Sequence, residues 1–92
     1  MSAQQIAVGQ LVISTAGRDT GQVYVVIGYG RGQILLLADG KKRQLAKPKQ
    51  KNVRHINVLE AIAGNVADKL KTGACVTNEE IRRSIHIVVS MK

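Results

Sequence analysis

VGQLVISTAGRDTGQVYVVI, residues 8–27, decides the fold, because two apolar runs, Leu11-Val12-Ile13 and Val23-Tyr24-Val25-Val26-Ile27, flank the glycine-bracketed turn Gly17-Arg18-Asp19-Thr20-Gly21. Short runs rich in β-branched residues and bounded by turn formers read as buried strands. Gly17 and Gly21 reach positive φ at little cost. Asp19 suits a turn because its carboxylate accepts backbone N–H bonds locally, and Arg18 at the tip is free to project into solvent. Taken alone, the turn also fits an ordinary β-hairpin loop.

Downstream, Gly28-Tyr29-Gly30-Arg31-Gly32 connects to a third apolar run, Ile34-Leu35-Leu36-Leu37-Ala38. It is no dinucleotide fingerprint, which needs glycine where Gln33 stands and a helix after it. Asp39-Gly40 is a strong hairpin signal, since this dipeptide tolerates the positive φ angles of a type I′ turn. It predicts an exposed fourth strand over Lys41-Lys42-Arg43-Gln44-Leu45. Lys47-Pro48 breaks the ladder, and Val53-Arg54-His55-Ile56 alternates well enough for a fifth strand. Five short strands with tight turns suit a small barrel.

The periodicity changes at Asn57. As an N-cap with Glu60 three positions on, it predicts a helix over 58–71, with Leu59, Ile62, Ala63, Val66 and Leu70 on one face and Lys69, Lys71 and Gly73 at its end. Folded back on the sheet, that face becomes core; standing away, it becomes a dimer or partner surface. A second capping box, Thr77-Asn78-Glu79-Glu80, opens a short helix through Ile81 and Ile85. Ile87-Val88-Val89 fits either its frayed end or a strand.

A chain of 92 residues supports one compact domain with an appendage, burying roughly 60% of its unfolded surface, which leaves little room for a large catalytic cleft. Hydrophobic residues make up 45%, but Trp and Phe are absent, so the core is aliphatic and base stacking on several aromatics, as in RNA-recognition-motif or single-strand-binding OB folds, is disfavoured. The lone Cys75 permits neither an internal disulfide nor a cysteine-based zinc site and fits a reducing compartment. The N-terminal stretch lacks a signal-like basic start and apolar core, and no apolar run approaches the roughly 20 residues of a membrane span. The expectation is a cytoplasmic protein with no membrane association.

The formal charge is +8, from 14 Lys and Arg against 6 Asp and Glu. No acid occurs between Gly40 and Leu59, where Lys41, Lys42, Arg43, Lys47, Lys49, Lys51 and Arg54 supply half of those 14 cations. Clustered cations suit a phosphate backbone because each contact releases condensed counterions, and arginine adds a planar donor fork. The same run also fits a solvated linker. His55 suits a phosphate or base contact, or is merely an exposed imidazole. Arg82-Arg83 either continues the positive surface or solvates the outer face of the short helix. Neither His55 nor His86 has partners at metal-ligand spacing, and Glu79 and Glu80 read as favourable charges at a helix N-terminus.

The glycine-bracketed turn and its flanking strands resemble the KOW motif. The stretch ADGKKRQLAKPKQKNVRHI, residues 38–56, looks like the second half of small bacterial KOW-domain RNA-binding proteins and of the related archaeal and eukaryotic-type large-subunit ribosomal proteins. VTNEEIRRSI, residues 76–85, is similar to the C-terminal segment of those bacterial proteins. Together, motif and basic stretch carry the resemblance over roughly Ile6 to Ile56. It implies an SH3-like barrel whose loop, shaped by Gly17, Asp19 and Gly21, brings Arg18 to RNA. Thr20 departs from the lysine often found there, which shifts weight to Lys41, Lys42, Arg43, Lys47, Lys49, Lys51 and Arg54, with His55 beside them as the further candidate for an RNA contact.

The expected fold is thus mainly β with an α extension: an SH3-like KOW barrel with its basic hairpin over 1–57, then two helices over 58–92. The expected function is noncatalytic binding of ribosomal or ribosome-associated structured RNA, without cofactor or metal. The alternative is a protein-interaction adaptor of the transcription or translation machinery, since KOW domains also bind proteins.

Overall fold

In the computed structural model, which describes residues 2–90, the chain forms one antiparallel sheet and two helices. The strands are β1 (Gln10–Ser14), β2 (Val23–Tyr29), β3 (Ile34–Ala38), β4 (Lys49–Asn52) and β5 (Ile56–Ile62), in the order β4-β3-β2-β1-β5. Helices α1 (Gly64–Thr72) and α2 (Asn78–Ser90) follow, and single 3-10 turns span Ala3–Gln5 and Val53–His55. The sheet is not closed: β4 and β5 are its two edges.

The strand runs are continuously apolar because both faces of the sheet are covered. Successive side chains alternate between faces. Val12, Tyr24, Val26, Leu35 and Leu37 therefore enter one core, completed by Ala3, Ile6, Val53 and Ile56. Leu11, Val25 and Ala38 point the other way and meet Ala63, Val66 and Ile81 beneath the helices. The N-terminal turn and the Val53–His55 turn thus cap one face, and α1 and α2 cap the other.

The helices sit close to the sheet because glycine lets them. Gly9, at φ +89°, hands its carbonyl to Ala63 N at 2.8 Å, and a Cβ there would run into Ala67 of α1. Ile81, completely buried, is the main apolar anchor of α2. Ile81→Ala is therefore expected to lower unfolding free energy by about 2–5 kcal/mol, read from a urea titration. A loss no larger than that of an exposed substitution such as Ile87→Ala would show that α2 adds nothing to the core.

Several expectations require correction. The helix expected over 58–71 begins only at Gly64. Asn57 is not its N-cap but pairs with Ile13 inside β5, so the division between 57 and 58 falls within a strand. Leu59 and Ala61 face the helix-side core, while Val58, Glu60 and Ile62 are exposed. The helical spacing of Leu59, Ile62 and Val66 was coincidental: pairing with β1 outweighs local periodicity, and Ile62, at 60% exposure, is not core. Val66, Ala67 and, in part, Leu70 are packed, so α1 does fold back on the sheet.

Lys41–Leu45 forms no strand. Asp39 is buried, and its Oδ1 accepts Lys41 N and Arg43 N, both at 2.9 Å, which wraps the chain into a side-chain-capped turn instead of a two-residue hairpin. The fourth strand comes after Pro48, as Lys49–Asn52, paired with β3. Val53–His55 is a 3-10 turn, with Arg54 N held by the Asn52 side chain at 3.1 Å. The second capping box is present: Thr77 Oγ1 accepts Glu80 N at 3.2 Å and Glu80 Oε1 accepts Thr77 N at 3.3 Å. Ile87-Val88-Val89 continues α2.

Candidate functional site

The loop between β1 and β2 is built around Asp19. Gly17 and Gly21 take φ of +86° and +93°, Thr20 Oγ1 donates to Gly17 O at 2.6 Å, and Gly21 N donates to Ser14 O at 2.9 Å, closing a compact turn. The Asp19 carboxylate does not bond local backbone N–H groups. It turns inward and collects side chains from three strands: Ser14 Oγ of β1 at 2.9 Å, Tyr24 OH of β2 at 2.6 Å and Lys51 Nζ of β4 at 2.6 Å. Lys49 Nζ stands 3.8 Å away.

Burial alone would raise the Asp19 pKa, but the hydrogen bonds from Lys51, Tyr24 and Ser14 outweigh it and hold the carboxyl well below the usual carboxylate range. Burial, then the hydrogen bond to the Asp19 anion, pushes the Tyr24 phenol well above its ordinary value. Both groups are therefore fixed in one protonation state around neutral pH, the carboxylate charged and the phenol protonated. A pair locked in this way is a clamp and a poor general acid or base, whose pKa must lie near the working pH.

Beside the clamp lies an open cleft of about 540 Å³. Arg18 and Thr20 of the loop form one side, Lys42 and Arg43 of the Asp39 turn the other, and Lys49 reaches in from β4. Both carboxylates on its walls are already engaged, Asp19 by the clamp and Asp39 by backbone N–H groups. Arg18, Lys42 and Arg43 are exposed, and among the described residues none of them is in an ion pair. The result is a concave surface with a concentrated positive potential, suited to an anion bearing several charges.

The structure thus brings together Arg18, Lys42, Arg43 and Lys49 and separates the other expected site residues. Lys51 is the clearest correction. It is only 9% exposed, and its ammonium is spent on Asp19 and on the Ala16 carbonyl at 2.8 Å. Lys41 turns away toward Arg82 and His86. Lys47 is exposed but lies outside the cleft, and Arg54 and His55 are exposed on the turn joining β4 to β5. The His55 contact with the loop is through its backbone, whose carbonyl accepts Thr15 N at 2.9 Å.

Sequence reasoning left Arg82 open between continuing the positive surface and solvating its helix, and gave His86 no place beside the basic turn, since nothing local links residues 41 and 82. The alternation of Lys49 and Lys51 on one face of a strand was the available signal for the clamp, hidden by placing the strand too early. Among the described residues, no group of His, Cys, Asp and Glu is arranged to hold a metal, and no helix is long and apolar enough to cross a membrane. Comparison with protein-family models gave no match, and no curated protein matched the chain.

Proposed function

We propose that this chain is a noncatalytic RNA-binding protein of the KOW type, an open variant of the SH3-like barrel with a helical extension, that docks structured RNA of the ribosome or its assembly. The observation that carries the reading is the cleft. The arginine at the tip of the KOW-like loop, Arg18, meets Lys42, Arg43 and Lys49 across one concave surface in which every nearby carboxylate is already neutralised or bonded. Such a surface gains affinity for a polyphosphate mainly by counterion release, and it positions the RNA without reading its sequence. The basic segment acts through its turn and the first residue of β4, not as a uniform strand of cations.

A protein-interaction adaptor of the transcription or translation machinery is the second reading, favoured by apolar side chains left in solvent, Val58 and Ile62 on β5 and Ile87 and Val89 on α2. Crosslinking followed by immunoprecipitation from the native host separates the two. One enriched RNA class, with crosslinks at the loop of Arg18 or the turn of Lys42 and Arg43, is expected. A stoichiometric protein partner that survives nuclease treatment, with no enriched RNA, would overturn the RNA reading in favour of the adaptor.

A further inference from the structure

We propose that the RNA surface continues from the cleft onto α2, where a second subsite holds one unpaired nucleotide, its phosphate on Lys41 and Arg82 and its base against His86. This inference rests on the RNA reading above. Lys41 and Lys42 are neighbours in sequence but serve different recesses: Lys42 lines the first cleft, and Lys41 lines a smaller one of about 200 Å³ together with Arg82, His86 and Val89. The two recesses share Gln22 and Asp39 as a common wall. A nucleic-acid strand leaving one enters the other without passing a free carboxylate, because Asp39 is 7% exposed and its Oδ1 holds two backbone N–H groups.

The two arginines of α2 are sorted by their partners. Arg83 is paired with Glu79 at 2.9 Å, one helical turn back, so its charge is offset. Arg82 is fixed to the basic turn by Nη1 donating to Gly40 O at 2.7 Å, which leaves the rest of its donor fork for a phosphate. His86 lies one turn further along the same helix, exposed, with Val89 beside it in the wall of the recess. A planar ring next to an apolar side chain is a surface on which an unpaired base stacks. The first cleft offers no such plane, because Tyr24 is 3% exposed and its hydroxyl is committed to Asp19. The division of labour follows: backbone phosphates in the first cleft, a single unstacked base on α2.

The test compares a synthetic blunt RNA hairpin with the same hairpin carrying a short single-stranded adenosine overhang, using full-length protein. The wild type should favour the overhang, and His86→Ala should lose about tenfold in affinity for the overhang hairpin, the scale of one base–aromatic stack, with the blunt hairpin unaffected. His86→Phe, which keeps a plane and removes the ring nitrogens, should restore the preference. The exposed helical position makes both variants compatible with folding. Equal affinity of the wild type for both hairpins, or an unchanged preference in His86→Ala, overturns the subsite; if Arg18→Gln/Lys42→Gln still weakens both hairpins, the RNA reading stands without it. Failure of the wild type to bind either hairpin removes the RNA reading and the subsite together.

Discussion

Asp19→Ala is expected to destabilise the protein by about 2–3 kcal/mol, below the roughly 3–5 kcal/mol lost from a fully buried ion pair, because Lys51 is buried but the Asp19 side chain keeps 16% of its surface in solvent. That is a large share of a total stability of roughly 5–15 kcal/mol. Lys51, 9% exposed in the wild type, would keep only the Ala16 carbonyl as partner, the Tyr24 hydroxyl would lose its acceptor, and the Ser14 hydroxyl would be left with the Ala16 carbonyl. The cost is that of an uncompensated buried cation, so Asp19→Ala/Lys51→Met should recover much of it. Urea titrations of the two single variants and the double variant measure the coupling. A loss below about 0.5 kcal/mol for Asp19→Ala, typical of an ordinary surface substitution, would sink the idea of a clamp.

The same network sets the pH dependence. Asp19 has a folded-state pKa below its unfolded value of about 3.9, so its contribution is complete above that value and fades as pH falls toward the lowered folded one. Tyr24 is raised above its unfolded value of about 10, so its contribution is present below that value and is lost as pH climbs through the folded one. Stability should therefore be flat across neutral pH, with an acid limb that Asp19→Asn flattens and an alkaline limb that Tyr24→Phe flattens. Limbs unchanged by these substitutions would assign them to other groups.

The clamp also explains what the sequence could and could not reveal. The first three strands were legible because β-branched runs between glycine turns have one cheap conformation, and Gly17 and Gly21 adopt the positive φ their positions demand. The Thr77 cap was legible because its reciprocal bonds are local. β5 was not, because Leu59, Ile62 and Val66 fall at helical spacing, and only pairing with β1 puts Leu59 and Ala61 on the inner face of a strand and Ile62 on the outer one. The basic segment failed for a related reason. Charge counting treats every lysine as solvent-facing, whereas Asp19, distant in sequence, draws Lys51 inward, and the Asp39 side chain bends the residues after it, Lys41 to Arg43, into a turn. What was read correctly depends on neighbours in sequence; what was missed depends on partners in space.

The cations that line the cleft, Arg18, Lys42 and Arg43 without an ion pair among the described residues and Lys49 loosely paired with Asp19 at 3.8 Å, carry the largest expected effect on binding. If Arg18, Lys42, Arg43 and Lys49 touch phosphates, the pairs Arg18→Gln/Lys42→Gln and Arg43→Gln/Lys49→Gln should each lower the slope of log affinity against log salt by about 1.4–1.8, at 0.7–0.9 per lost contact. Arg31→Gln/Lys71→Gln removes the same charge from exposed positions, in the β2–β3 turn and at the end of α1, and is the matched control. Lys69 is unsuitable for that purpose because it is paired with Glu80 at 2.7 Å, so neutralising it would disturb how α2 starts. Lys51→Gln should behave differently from all of these: it should cost stability through the clamp and, below the unfolding transition, leave the salt slope unchanged. Equal slopes for the cleft pairs and the control would mean diffuse attraction to a protein of charge +8. A slope change confined to the cleft pairs would fix the site while leaving sequence preference to whatever RNA shape presents its phosphates in that arrangement, because contacts of this kind orient a protein and carry no information about the bases.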